Sequence, residues 1–323
     1  MTRSSFRLAG FLFLLGACFA IVGQQPVLAE GHHKVQLASS PHLSPDGEHV
    51  AFAWAGEVWV SRIDGSKLTR ITTHPSDDAS PRFSPAGDEL AFVSSRTGAR
   101  QIFLVSLTMG DSISVGTPRQ LTYHSEGFAL HGWFPDGNHL LTTGSRDHGW
   151  RYARRMIRVN ARERSAEQVL VDAVADEPAV SADGNRILFV REGERWWRKG
   201  YTGEKSAQIW LYDLTSGEFK ELLKLGVDCR SPQWDGDRDA FFFTKGDYRG
   251  ASLCRFDLKT SEFSEVANFD DDSIVWPTAN ADGSRLVFRN LFDLYHLDVG
   301  KDRPIKNAKP KKMVIQYSGD AIA

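Results

Sequence analysis

At 323 residues and 41% apolar composition the chain can bury a large core, and a formal net charge of −2 offers no basic field for a nucleic-acid partner. Length alone suggests about two domains, but an internal repeat overrides that estimate and makes one closed unit. Loss of residues 1–29, read next as a leader, removes Arg3 and Arg7 and no acid, which moves the balance to −4.

The N-terminus reads as a secretory signal. Arg3 and Arg7 form its basic region, Leu8 to Gly23 its apolar core, and Val27-Leu28-Ala29 a cleavage site. The apolar run is short for a spanning helix. Leu15-Gly-Ala-Cys18 resembles a lipidation site, but Phe19 to Gly23 stays apolar beyond the cysteine, which speaks against a lipid anchor on Cys18. No later stretch is comparably apolar. The expectation is an exported protein, periplasmic or extracellular, with no membrane span once residues 1–29 are removed. The tandem His32-His33 reads as a mobile, solvated end.

From Pro41 a frame begins that recurs along the chain: proline, a short strand, a tight turn, then an apolar strand reaching phenylalanine eleven positions later. It runs Pro41–Phe52, Pro81–Phe92, Pro178–Phe189, Pro232–Phe243 and Pro277–Phe288, with a weaker copy at His131–Thr142. Starts at 41, 81, 131, 178, 232 and 277 are 40 to 54 residues apart. A period of roughly 40–50 residues rich in strand signals is what one four-stranded propeller blade requires. Asp46-Gly47, Asp136-Gly137, Asp183-Gly184 and Asp282-Gly283 hold the turn, and Asp-Gly favours a type I′ hairpin with positive φ at both central residues. In the fifth copy Asp235-Gly236 is displaced, which predicts an irregular turn. The apolar runs Val50–Phe52, Ile187–Phe189 and Phe241–Phe243 do not alternate with polar residues, so both strand faces should be covered.

Third strands follow at 57–61, 101–107, 156–159, 208–213, 252–257 and 293–297. Fourth strands follow at 68–73, 119–122, 167–171, 219 onward, 263 onward and 312–317. The fold class is therefore all-β: a six-bladed β-propeller of four-stranded antiparallel blades over 30–320, behind a signal peptide at 1–29. No strand is left to exchange across the closure, so blades one and six should seal through side chains alone. Cys229 and Cys254 stand one strand apart. Strand spacing of ~4.8 Å makes a disulfide there a distortion, so both should be buried free thiols.

In such a blade the second-to-third loops and the links between blades share one face of the ring. The loops 94–101, 143–155, 191–207 and 244–251 are basic in sum, and the links 73–80, 123–130, 171–177, 226–231 and 268–276 are acidic by nearly the same amount. Mutual neutralisation is the plain reading. The sharper one is a basic inner patch for an anionic end such as a peptide carboxylate, served by Arg146, Trp150, Arg151, Arg198, Lys199 and Tyr201, because arginine and aromatic groups give bidentate and stacking contacts. Trp196-Trp197 reads as a loop anchor, His74 and His124 as repeat-structural, and Asp270-Asp-Asp272 as a solvated link rather than a calcium site. No Gly-x-Ser-x-Gly elbow, Walker loop, GxGxxG or His-x-x-His spacing is present, so no cofactor or metal is implied.

Ser-Pro-Asp-Gly followed by an apolar Ala-Phe strand resembles the TolB-type propeller repeat (PD40, WD40-like). Trp197-Arg-Lys-Gly-Tyr201-Thr-Gly203, then Ile209-Trp-Leu-Tyr212 and Ser216-Gly-Glu-Phe-Lys220, resemble the six-bladed N-terminal propeller of tricorn-type proteases. Gly56-Glu-Val-Trp-Val60 fits the same family's first blade, and the similarity spans about 33–320. The resemblance implies a propeller that guides peptides for catalytic domains carried elsewhere, so no catalytic residue maps onto this sequence and no hydrolysis is expected of it. The family's paired arginines that anchor a substrate end have no counterpart near Arg119 to Phe128, and Arg154-Arg155 falls in a different loop. Three functions follow as expectations: a peptide-binding or peptide-gating propeller, a TolB-like protein-interaction scaffold, and a pore-sited enzyme acting on polysaccharide.

Overall fold

A computed structural model describes residues 32–145, 154–193, 198–300, 305 and 308–319. Six antiparallel sheets follow one another along the chain, each built from consecutive strands in the order first to fourth. Blade one is Ser39–Leu43, His49–Trp54, Glu57–Arg62 and Thr69–Arg70. Blade two is Asp78–Phe83, Glu89–Ser94, Gln101–Thr108 and Arg119–Gln120, and blade three Ala129–Trp133, His139–Gly144, Arg155–Asn160 and Gln168–Val171. Blade four is Asp176–Val180, Arg186–Arg191, Gln208–Asp213 and Phe219–Leu223. Blade five is Cys229–Trp234, Ala240–Gly246, Ala251–Asp257 and Glu262–Ala267, and blade six Ile274–Ala279, Arg285–Asn290, Asp293–Asp298 and Lys311–Lys312. Blade two carries one strand more than expected. Its eight-residue third strand overshoots its neighbours, and Ser114–Val115 pairs with the surplus at Leu107 and Thr108.

An apolar cluster fills each of the six blade-to-blade contacts. Ala51, Val58 and Val60 of blade one meet Phe83, Leu90 and Phe92 of blade two, while Phe52 turns the other way to meet Val287 and Leu294 of blade six. This division explains why the second strands are apolar on both faces.

The turns differ from the expected type. Gly47 N–H donates to Ser44 O at 2.8 Å, and Ser44 N–H to His49 O at 2.9 Å, so Pro45-Asp46-Gly47-Glu48 is a four-residue loop. Gly47 alone in it has positive φ, at 75°. Asp46 accepts from the Ser44 hydroxyl and from Glu48 N–H, which fixes the loop without φ > 0 at the aspartate. Proline presets the first turn residue and glycine takes the left-handed one. In blade five the loop has the same span, Asp235 N–H to Ala240 O, but its glycine stands two places earlier with φ 62°, which is the irregularity expected.

Closure is the second correction. His32–Lys34 is a strand paired antiparallel with Gln316–Ser318 rather than a loose end. Val35 N–H continues the contact to Ile315 O at 3.0 Å, and Leu37 N–H reaches Phe292 O at 2.8 Å. Main-chain hydrogen bonds therefore join the two ends beside the packed side chains of Trp54, Trp59 and Tyr317. Cys229 and Cys254 are buried free thiols in the apolar cluster between blades four and five.

Candidate functional site

The first strands line a central cavity of about 310 Å³ to which all six blades contribute. Each first strand carries a bulge at the start of the repeat frame. In five blades the residue before the repeat proline lies at positive φ: Ser40 (50°), Ser80 (52°), Glu177 (47°), Ser231 (50°) and Trp276 (54°). Left-handed backbone in such residues costs of order 1–3 kcal/mol each and is kept where surrounding contacts over-determine it. Proline has no N–H to lose from the ladder at a bulge. Together these features place Ser40, Ser80, Glu177, Ser231 and Trp276 on the cavity wall.

Neighbouring blades are cross-tied here. Trp133 Nε1 donates to Arg82 O and Trp234 Nε1 to Ala179 O, both at 3.0 Å. Glu177 accepts from Ser231 N–H at 2.6 Å and from its hydroxyl at 3.0 Å, with Arg230 at 3.3 Å. Burial raises the Glu177 carboxyl pKa, against the pull of Arg230. Arg82 donates from Nε to His131 O at 2.8 Å and from Nη1 to Pro81 O at 2.7 Å. Burial brings its guanidinium down to about 10, still charged at neutral pH. His131 is held down to about 4 and His42 well below its usual value, both chiefly by burial and further by Arg82, so both are neutral.

The sequence-predicted residues divide in two. Arg146, Trp150 and Arg151 lie outside the described residues, as do Trp196 and Trp197. Arg198, Lys199 and Tyr201 line the cavity together with Gly200. The Arg198 guanidinium sits 4.8 Å over the Tyr201 ring, and Lys199 Nζ meets Asp272 at 2.6 Å. Gly200 packs so close to the Tyr248 backbone that a Cβ would stand 3.3 Å from it, at φ 67°. Elsewhere the loop cations meet the link acids: Arg96 and Asp78 at 2.8 Å, Arg154 and Asp176 at 3.2 Å, Arg155 and Asp172 at 3.2 Å. Neutralisation across the face is thus the rule for these pairs. His74 and His124 share one structural job, each accepting through Nδ1 the N–H two residues on.

Sequence reasoning missed Arg82, Glu177, Ser231 and Trp276. The signal was available: they flank the repeat proline at one place before or one after. The rim is also uneven. Blades two to five join second to third strand through 95–100, 145–154, 192–207 and 247–250, whereas blades one and six use only Ala55-Gly56 and Leu291-Phe292. On that low side Leu37 and Phe292 are 59% and 53% exposed. Among the described residues no group of three His, Cys, Asp or Glu is placed to hold a metal ion, and no helix is long and apolar enough to cross a membrane.

The tricorn protease N-terminal β-propeller domain matches residues 35–303. The chain belongs to that family. This tricorn-type propeller is 27% identical over 292 residues to tricorn protease homolog 1 of Streptomyces coelicolor, covering 86% of the chain and 25% of that protein. It is 26% identical over 275 residues to the tricorn protease homolog of Saccharolobus solfataricus, covering 81% of the chain and 24% of that protein. The propeller thus spans about a quarter of the length of these relatives. In fold it matches the crystal structure of the tricorn protease with a TM-score of 0.71 at 18% identity, over 88% of this chain and 27% of that one. It matches a putative TolB from Agrobacterium tumefaciens with a TM-score of 0.57 at 20% identity, over 71% of this chain and 80% of that one.

Proposed function

We propose that the chain is an exported, non-catalytic propeller that binds an extended polypeptide at the mouth of its channel. The carrying observation is the uneven rim: second and third strands are joined by 4 to 16 residues on blades two to five, and by two-residue hairpins on blades one and six, which leave that side low. An extended segment can be laid across the low side and reach the polar cavity wall. Arg198, Lys199 and Tyr201, with Arg146, Trp150 and Arg151 on the neighbouring loop, are the residues proposed to receive its anionic end. Kinship with tricorn protease homologs supports a role beside peptides, and export rests on the apolar leader.

A second reading, a scaffold that holds another exported protein, draws on the match over four-fifths of the TolB chain. Titrating labelled unstructured peptides into the purified chain, with fluorescence anisotropy and mass spectrometry on the same samples, separates the two. Saturable binding of intact peptide, weakened by Arg198→Ala and by Tyr201→Ala, supports the first. Absence of peptide binding with a stable protein partner in pull-downs supports the second, and peptide cleavage by the chain itself rejects both.

A further inference from the structure

We propose that Arg82 is a carboxylate-binding centre inside the channel. The inference rests on the channel as the peptide site, and it adds to Arg198, Lys199 and Tyr201 a further seat for an anionic group, on the first strand of blade two. Every acidic side chain on the cavity wall already has partners. Asp176 is held by Arg154, Glu177 by Arg230 and Ser231, and Asp228 by Ala207 N–H at 2.7 Å. Asp247 accepts from the N–H groups of Arg249 and Gly250. Arg82 stands apart from this pattern. Its described partners are two main-chain carbonyls, and among the described residues no carboxylate pairs with it and Nη2 makes no hydrogen bond.

Arg82 is half-buried on the cavity wall, and a guanidinium partly withdrawn from water without a counter-ion carries a cost that two carbonyls offset only in part. Those same carbonyls hold it rigidly. Nε and Nη1 are fixed by His131 O and Pro81 O, on either side of a blade boundary, so the remaining N–H groups are oriented before any ligand arrives. Preset donors in a cavity are what a carboxylate needs, and arginine supplies them in a planar fork. The neighbours add specificity. His42 and His131 flank the cation as neutral rings, so neither adds a second positive charge. One fixed charge suits a monoanion better than a phosphate dianion. About 310 Å³ leaves room for the carboxylate and a few small residues behind it.

The carboxylate can come from a chain terminus or from an acidic side chain, and calorimetry on the full chain distinguishes them. Three probes suffice: acetyl-tetra-alanine as the free acid, the same peptide as its C-terminal amide, and an amide with one internal glutamate. The free acid should bind at least about tenfold more tightly than the plain amide, the scale of one charge-assisted hydrogen-bonded contact. If the glutamate peptide matches the free acid, the source is a side chain. If it matches the plain amide, the source is a terminus. Arg82→Gln should erase the difference and Arg82→Lys retain part of it. Because Arg82→Gln also removes ties to Pro81 and His131, the acid-against-amide comparison on unaltered protein stands as the primary readout. Equal, saturable binding of acid and amide overturns the Arg82 assignment and leaves the peptide channel intact. Absence of peptide binding, with acetate still raising the melting temperature in an Arg82-dependent way, overturns the peptide reading and keeps the anion site. No response to any probe rejects both.

Discussion

The carboxylate of Glu177 in blade four accepts the main-chain N–H of Ser231 in blade five at 2.6 Å, so one side chain bridges two blades beside the channel. Burial raises its pKa above the usual 4.5, with Arg230 opposing. The folded chain therefore holds this proton more tightly than the unfolded chain. The group's contribution is most favourable below the ordinary glutamate value and declines as pH rises through the raised one, then levels off. Urea midpoints of the protein and of Glu177→Gln, taken from about pH 4 to about pH 8, should show the variant gaining on the parent with rising pH across that window. A difference that is flat, or that slopes the other way, rejects the assignment.

Phe52 and Phe189 are 0% and 1% exposed, each wedged between two blades. Truncation to alanine should cost about 3–5 kcal/mol in either case. Phe219, 47% exposed and stacked on Tyr212 at 4.6 Å, should lose only about 1.5 kcal/mol or less. Chemical denaturation of the three variants tests whether burial, rather than aromatic content, sets the order.

Burial pushes the Cys229 thiol up to about 12 and the Cys254 thiol up to about 11. Thiolate is the reactive form, so neither should react with a disulfide reagent at about pH 8 while the blades are intact. In a Cys18→Ser background, two thiols should become titratable together on unfolding. Rapid labelling of either in the native protein would contradict the packing between blades four and five.

Tyr317 stands edge-on to Trp54 and Trp59, with ring centres 5.7 and 5.4 Å away. Tyr317→Ala should shift tryptophan emission to the red and remove about 1–3 kcal/mol, the scale of two aromatic pairs. Unchanged emission and midpoint would mean that the C-terminal strand does not hold the ring shut.

Blade order was legible because each repeat writes its own punctuation: proline at the bulge, glycine in the turn, phenylalanine in the wedge. The turn type was misjudged because Asp46 can fix the loop through its own side chain, without the left-handed backbone that Asp-Gly suggests. Closure was misread for a different reason. Three residues, His32 to Lys34, are too few to show a strand pattern, and their partner lies at the far end of the chain. At the site, charge counting led to the loops and found Arg198, Lys199 and Tyr201 on the cavity wall. It passed over Arg82, whose importance comes from what surrounds it. That Lys199 is matched by Asp272 and Arg82 by no described carboxylate is a property of three-dimensional neighbours, which sequence separation hides.

The pairing of His32 with Ser318 and Lys34 with Gln316 has a mechanical consequence. The outward continuations of both strands leave from the same edge of this small ladder. Tension applied through them loads the rungs in succession instead of sharing the force among all. That ladder should therefore open under pull while the apolar cluster between blades one and six still holds the ring together.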